Sequence, residues 1–142
     1  MSGPDAREGP GHTRLTWGAR GVAAAFAVSG VAHLVRPAAF DRLVPHSLPF
    51  RGQVIAVSGV AELVCAGGLV ARRAWAARAS ALLLLMVWPG NWYLALRLQN
   101  SARASTWLRV LAWGRVPLQI PMICAVLRSG RPRRPAEPRA AA

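Results

Sequence analysis

Two nearly identical heptapeptides carry the first residues whose types and spacing could do chemistry. VSGVAHL (28–34) returns 29 residues later as VSGVAEL (57–63), and the one difference places His33 in the first copy and Glu62 in the second. A histidine and a carboxylate can form an ion pair, and either can carry a proton to or from a reacting group. Three explanations of the repeat remain open: common packing needs, chance in an alanine-rich chain, and a distant inverted repeat.

Three further polar residues lie in proline-containing motifs of the second half of the chain. Asn91 belongs to WPGNW (88–92), and Arg115 and Gln119 belong to RVPLQIP (115–121). If the surrounding apolar stretches cross a membrane, a rise of 1.5 Å per residue places both Glu62 and Arg115 about 14 Å below the outer ends of their helices. An isolated charge at that depth costs about 3 kcal/mol or more. We therefore expect Glu62 to pair with Arg115, and Gln119 to assist the carboxylate from one turn further along.

Prolines in the same motifs predict breaks in two of the helices. Pro89 has no amide hydrogen and frees a carbonyl near Leu85, and Pro117 acts similarly in the last helix. Such breaks are tolerated at membrane depth where protein or a water-filled cavity receives the freed groups. The sequence thus predicts a polar pocket in the outer half of the bundle, lined by His33, Glu62, Asn91, Arg115 and Gln119. Purely structural readings stay open: a buried pair, a histidine that caps its helix or meets lipid headgroups, and amides that join helices.

The elements that must hold these residues are four long apolar stretches. They cover residues 17–35, 53–71, 75–96 and 106–127, and each has about the 20 residues that a helix needs to cross the hydrocarbon core. A soluble bundle would need a polar face on every helix, and none of the four has one of the required width. We predict an all-α fold, a four-transmembrane-helix up-down bundle over residues 15–128, with disordered tails at 1–14 and 129–142.

The charge pattern also fits a membrane protein. The formal net charge is +13, and all 18 basic residues are arginines. They lie at the edges of the apolar stretches and in the tail instead of along one amphipathic face, which argues against nucleic-acid binding. Ten arginines fall on the side of the two termini and five on the other side. The positive-inside rule then places both termini in the cytoplasm.

Cysteines and histidines give no sign of a disulfide or a metal site. Cys65 and Cys124 lie about 18 and 27 Å from the outer ends of their helices, whereas a disulfide tolerates Cα separations of only about 7 Å. Both cysteines are expected to be packing residues. His46 in the outer loop is the one nearby residue that could join His33 and Glu62 as a ligand, and the three fit no common metal-ligand spacing.

The loop between the first two helices contains a short apolar segment bounded by prolines. In RPAAFDRLVPHSLPF (36–50), residues 38–44 have the spacing of a helix of one to two turns at the outer interface. This helix, with Phe40, would cover the pocket as a lid. Pro45 and Pro49 would direct the chain into the second membrane helix.

Taken in order, these motifs resemble the DoxX-like family of small bacterial membrane proteins. GVAHLVRPAAFDRLVPHSLP, SGVAELVCAGGLV, WPGNW and RVPLQIP are similar to that family's G-x-x-H, interfacial P…P segment, S-G-x-x-E, P-x-N and R-x-P-L-Q. The resemblance covers about residues 17–127. Trp88 and Gly90 stand where the family usually has Phe and Ala.

The resemblance implies a four-helix membrane bundle linked to redox systems, among them quinol or thiosulfate–quinone oxidation, methylamine dehydrogenase maturation and thiol-stress complexes. It also implies that His33, Glu62, Asn91, Arg115 and Gln119 are the signature polar positions. We expect an accessory subunit of the bacterial cytoplasmic membrane that binds a quinone-like ligand or docks an oxidoreductase. A transporter or isomerase-like bundle using Glu62 for proton transfer, and a purely structural subunit, are the alternatives. The sequence leaves enzyme activity and oligomeric state open, and it identifies no cofactor beyond a possible quinone.

The predicted topology can be tested with reporter fusions. Fusions after residues 14, 45, 74, 101 and 130 should report inside, outside, inside, outside and inside, because the arginine distribution favours cytoplasmic termini. A C-terminal fusion that reports outside would contradict this topology.

Overall fold

The computed structural model describes residues 15–41, 44–45 and 49–130. It is all-helical over these residues, with no strand among them. The four long helices are α1 Trp17–Val35, α2 Arg51–Val70, α3 Ala76–Gln99 and α4 Thr106–Ser129. All four are long and apolar enough to cross a membrane, as predicted, and their bounds lie within three residues of the predicted spans. The predicted tails lie almost wholly outside the described residues, and Ser129 still belongs to α4.

The helices form an antiparallel up-down bundle of two hairpins. α1 packs most extensively on α2, and α3 on α4, while smaller contacts of α2 with α3 and of α1 with α4 join the hairpins. One end of the bundle holds the connections 36–50 and 100–105 and is called the loop end below. The other end holds the start of α1, the connection 71–75 and the end of α4, and is called the termini end.

Side chains of two helices cap their own first turns. The Thr16 hydroxyl accepts a hydrogen bond from the Ala19 amide at 3.3 Å, and the Ser105 hydroxyl accepts one from the Leu108 amide at 3.4 Å. Serine and threonine are favoured at this position because the first helical amides have no intrahelical acceptor. These caps fix where α1 and α4 begin.

The buried core is divided unevenly between the two ends. Towards the termini end, residues of all four helices form one apolar cluster: Val22, Ala23, Phe26, Cys65, Ala66, Leu69, Ala76, Ala81, Leu84 and Val126. Towards the loop end, the second cluster consists of Ala95, Ala112 and Val116, which belong to α3 and α4 alone. Large apolar side chains such as Val57, Met86 and Ile120 face outwards, as expected for a surface in contact with lipid.

The predicted lid helix over residues 38–44 is wrong in extent. The structure has a single 3-10 turn, Pro37–Ala39, followed by a turn at Phe40 and Asp41, and residues 42–43 lie outside the described part. The Arg51 guanidinium donates to the carbonyl of Asp41 at 2.6 Å and to that of Val44 at 3.4 Å. Arg51 thus supplies donors to two carbonyls of this irregular segment, which have no partner in a regular ladder.

α1 and α2 approach closely at the glycines of the repeated heptapeptide. A Cβ added to Gly30 would lie 2.7 Å from the Gly59 carbonyl oxygen, and one added to Gly59 would lie 3.0 Å from the Gly30 carbonyl oxygen and 2.7 Å from the Cβ of His33. Small residues permit such backbone contact between membrane helices. The two glycines therefore set the distance between α1 and α2.

Gly59→Ala should destabilise the protein by about 1–3 kcal/mol, because the new methyl group forces two backbones apart. Gly67→Ala is the matched control on the same helix, since a Cβ there meets nothing within 4 Å. The control should be neutral or stabilising by up to about 1 kcal/mol, because alanine has the higher helix propensity. Unfolding in mixed micelles measures both, and equal effects would show that the crossing does not depend on Gly59.

Candidate functional site

The two ionisable residues of the repeated heptapeptide contact each other across the α1–α2 crossing. Nδ1 of His33 lies 3.2 Å from Oε2 of Glu62. The Glu62 residue is 5% exposed, so its carboxylate is withdrawn from solvent and lipid alike. An ionised Glu62 accepts the hydrogen bond from Nδ1–H, whereas a protonated Glu62 donates to an unprotonated Nδ1. The pair is thus a site at which one proton can reside on either partner.

A hydroxyl and an aromatic ring complete the surroundings of His33. The Ser29 hydroxyl, one turn earlier on α1, lies 3.5 Å from Nδ1 of His33. The Phe40 ring is tilted by 32° against the imidazole, with a centroid separation of 3.7 Å. Ser29 was not among the predicted site residues. The signal that could have identified it is its position four residues before His33, on the same helix face.

A second polar pair joins α3 to α4. The Asn91 amide nitrogen donates to the Gln119 side-chain oxygen at 3.1 Å, and the Gln119 nitrogen donates to the Leu84 carbonyl at 2.5 Å. The Trp88 indole donates to the Val116 carbonyl at 3.1 Å. Gln119 is 3% exposed, so these amide groups are satisfied within the bundle. Gln119 does not assist Glu62, contrary to the sequence prediction.

The predicted helix breaks are absent from the described structure. α3 runs as one helix through Pro89, and α4 through Pro117 and Pro121. Side chains of the neighbouring helix donate to backbone carbonyls near both prolines, at Leu84 and at Val116. The carbonyls that the prolines themselves free, four residues earlier, are those of Leu85 and Trp113. Pro45 and Pro49 lie in the connection between the 3-10 turn and α2.

The predicted Glu62–Arg115 ion pair is wrong. Among the described residues, the carboxylate of Glu62 pairs with His33. Arg115 makes no contact of ion-pair length with Glu62, although its charge acts on the carboxylate from a longer distance. Arg115 shares a helix face with buried Ala112 and Gln119, yet its own side chain is exposed. The exposed Arg115 guanidinium can therefore bind a group that the described residues do not supply.

Other arginines hold the connections at the loop end. Arg109 donates to the carbonyls of Leu98 and Ser101 at 3.2 and 2.9 Å, which fastens the start of α4 to the end of α3. Both cysteines are free, as predicted: Cys65 is buried, but Cys124 is exposed and does not pack in the core. The described residues hold no group of three or more metal-ligating side chains, and His46 lies outside them.

A double-mutant cycle tests the observed pairing. His33→Ala leaves Glu62 alone in a low-dielectric site and should cost about 3 kcal/mol or more. His33→Ala combined with Glu62→Gln should recover much of that loss, because the buried charge is gone. Arg115→Gln should change the free energy of unfolding by no more than about 1 kcal/mol, as for other exposed charges.

Reversible unfolding in micelles gives these three values and that of the single variant Glu62→Gln, which completes the cycle. An Arg115→Gln loss as large as that of His33→Ala would restore the rejected Glu62–Arg115 pair. A double variant no more stable than His33→Ala alone would show that the His33–Glu62 contact carries no coupling.

A match to a known protein family covers most of the four-helix bundle. A family model described as a domain of unknown function (DUF8561) matches residues 22–129, a range that includes both polar pairs and Arg115. No curated protein and no solved structure matches the chain. The chain belongs to the DUF8561 family.

Proposed function

We propose that this protein is an accessory subunit of a membrane redox or thiol-homeostasis system, and that it binds a quinone-like molecule at the His33–Glu62 pair. In this proposal the protein resides in a bacterial cytoplasmic membrane with both termini in the cytoplasm. The observation that carries the proposal is the contact of two ionisable side chains, His33 Nδ1 with Glu62 Oε2 at 3.2 Å, inside an apolar bundle. The resemblance to DoxX-like proteins supports the redox context.

The pair has the properties that a quinone site requires. Quinone oxygens accept hydrogen bonds, and reduction of a quinone to a quinol takes up two protons. Glu62 and Ser29 engage Nδ1 of His33, and the described residues offer Nε2 no partner, so Nε2 is the nitrogen that can face a ligand. The His33 side chain is 12% exposed, which leaves it within reach of a ligand that enters from the bundle surface.

Each remaining polar residue has a separate part in this proposal. Glu62 orients the imidazole and compensates its charge when His33 is protonated. Arg115 supplies an exposed guanidinium that can donate to a second ligand oxygen. This accounts for a charge kept on a membrane helix without a contacting acid among the described residues. Phe40 covers the imidazole and bounds the site on its loop side. Electrons would come from the oxidoreductase partner.

A proton-coupled transporter or an isomerase-like bundle is the second candidate. It rests on the same sharing of one proton between Glu62 and His33, without an electron-transfer partner. Proton-coupled uptake of a substrate into vesicles, lost in Glu62→Gln, would favour it. The third candidate, a structural subunit, rests on the satisfied Asn91–Gln119 pair and needs no ligand.

Quenching of the fluorescence of the six tryptophans by a short-chain ubiquinone analogue tests the proposal in nanodiscs. His33→Gln and Arg115→Gln should each weaken binding about tenfold, the loss of one hydrogen bond to a charged donor at about 1.4 kcal/mol or more. Gln53→Ala, an exposed polar residue of α2, is the matched control and should bind as the parent does.

The affinities of the three variants for the quinone analogue show whether it binds at His33 and Arg115. Unchanged affinity in both His33→Gln and Arg115→Gln, with the fold intact by circular dichroism, would place the quinone elsewhere or nowhere. Equal loss in all three variants, the control included, would indicate a general effect of substitution on the bundle and would contradict a site at His33 and Arg115.

A further inference from the structure

A cavity of about 630 Å³ lies at the termini end, far from the His33–Glu62 pair. It is formed where the connection between α2 and α3 meets the first turn of α3 and the last turn of α4. Among the described residues, its charged lining residues are Arg72, Arg73 and Arg78, and none of the lining residues is acidic. Guanidinium groups bind phosphate oxygens in a bidentate manner, so the cavity favours a phosphate-bearing anion.

The backbone at Arg72 has a conformation that is unusual for an arginine. Arg72 has φ 54°, a left-handed conformation that glycine adopts more readily than any L-residue. The chain ends α2 in a Schellman motif: the Arg73 amide donates to the Gly68 carbonyl at 2.9 Å, and the Arg72 amide to the Leu69 carbonyl at 3.1 Å. Glycine is the usual residue at this position of the motif. An arginine at this position adopts a strained backbone. A role for its guanidinium at the cavity explains why an arginine stands here instead of glycine.

The start of α3 adds main-chain donors to the same cavity. No side chain caps this helix, and its first turn contains no acidic residue. The Ala77 and Arg78 amides, which belong to lining residues, have no acceptor among the described residues. Free amides at a helix N-terminus bind anions together with the positive end of the helix dipole.

The residues around the cavity favour a lipid over a soluble anion. Trp17 and Trp75 lie at the same end with 84% and 48% of their surfaces exposed, as is typical of tryptophans at the headgroup level of a bilayer. The cavity lining also contains the apolar side chains of Leu15, Leu69 and Leu127. A phospholipid carries a phosphate group next to apolar chains, and the cavity places arginines next to apolar side chains in the same way.

We propose that this arginine-lined cavity is a binding site for the headgroup of an anionic phospholipid, with the phosphodiester held by Arg72, Arg73 and the first turn of α3. Arg78 approaches the same anion from the beginning of α3. The acyl chains leave along the apolar wall into the adjoining leaflet. Basic pockets between membrane helices bind anionic headgroups in this way.

Native mass spectrometry of the purified full chain, with added phosphatidylglycerol, tests the site through Arg72→Gly. This variant removes the guanidinium and relieves the left-handed strain, so it should unfold at the same temperature as the parent or higher while retaining at least fivefold less lipid. Arg103→Gly removes one charge from an exposed loop at the opposite end and should retain lipid as the parent does.

Two further arms identify the source of the phosphate. Phosphatidylcholine should bind the parent less well than phosphatidylglycerol does, since its choline cation is repelled by the three arginines. Millimolar glycerol phosphate should not displace phosphatidylglycerol; displacement would identify a soluble phosphate site instead. Parent-like retention of phosphatidylglycerol by Arg72→Gly, or equal loss in Arg103→Gly, would overturn the proposal.

Discussion

Hydrocarbon offers no hydrogen-bond partner, so each polar group within the bundle must find one inside the protein. Two cross-helix pairs meet this constraint for four of the polar side chains: His33 with Glu62 between α1 and α2, and Asn91 with Gln119 between α3 and α4. Apolar side chains alone would leave two membrane helices free to slide and rotate against each other, because lipid tails are as apolar as leucine. The polar pairs fix the register within each hairpin, and the positions of Phe40 and Arg115 follow from that register.

Both pairs join positions that a short repeat makes equivalent. His33 and Glu62 are 29 residues apart, as are Gly30 and Gly59; Asn91 and Gln119 are 28 apart, as are Pro89 and Pro117. Antiparallel neighbours can be related by a local two-fold axis in the membrane plane, and residues near such an axis meet their own equivalents. The glycine contacts agree: Gly30 packs on the Gly59 carbonyl and Leu63, and Gly59 on the Gly30 carbonyl and Leu34. The heptapeptide is therefore repeated because it packs against itself.

Hydropathy was sufficient to predict four spans, because a lipid-facing helix needs apolar side chains over its whole length. Comparing Cα depths was not sufficient to pair the charges. His33 lies about 4.5 Å from the Gly30–Gly59 crossing towards the loop end, and Glu62 about 4.5 Å towards the termini end. Their long side chains cover that separation, whereas Arg115, level with Glu62 by residue count, points away from a contact. The spacing of 29 residues relates His33 to Glu62, its correct partner. Using this spacing for a prediction requires the point at which α1 and α2 cross, and the sequence alone does not give that point.

The division of the core explains where a ligand can enter. At the termini end one apolar cluster includes residues of all four helices, for example Phe26, Leu69, Leu84 and Val126, so separating the hairpins there would expose buried surface from each of them. At the loop end the corresponding cluster belongs to α3 and α4 alone. Less apolar burial therefore holds the two hairpins together beside His33 and Arg115 than at the opposite end. Opening between the hairpins at the loop end costs the least, and it would expose the polar pair to a molecule that diffuses within the membrane.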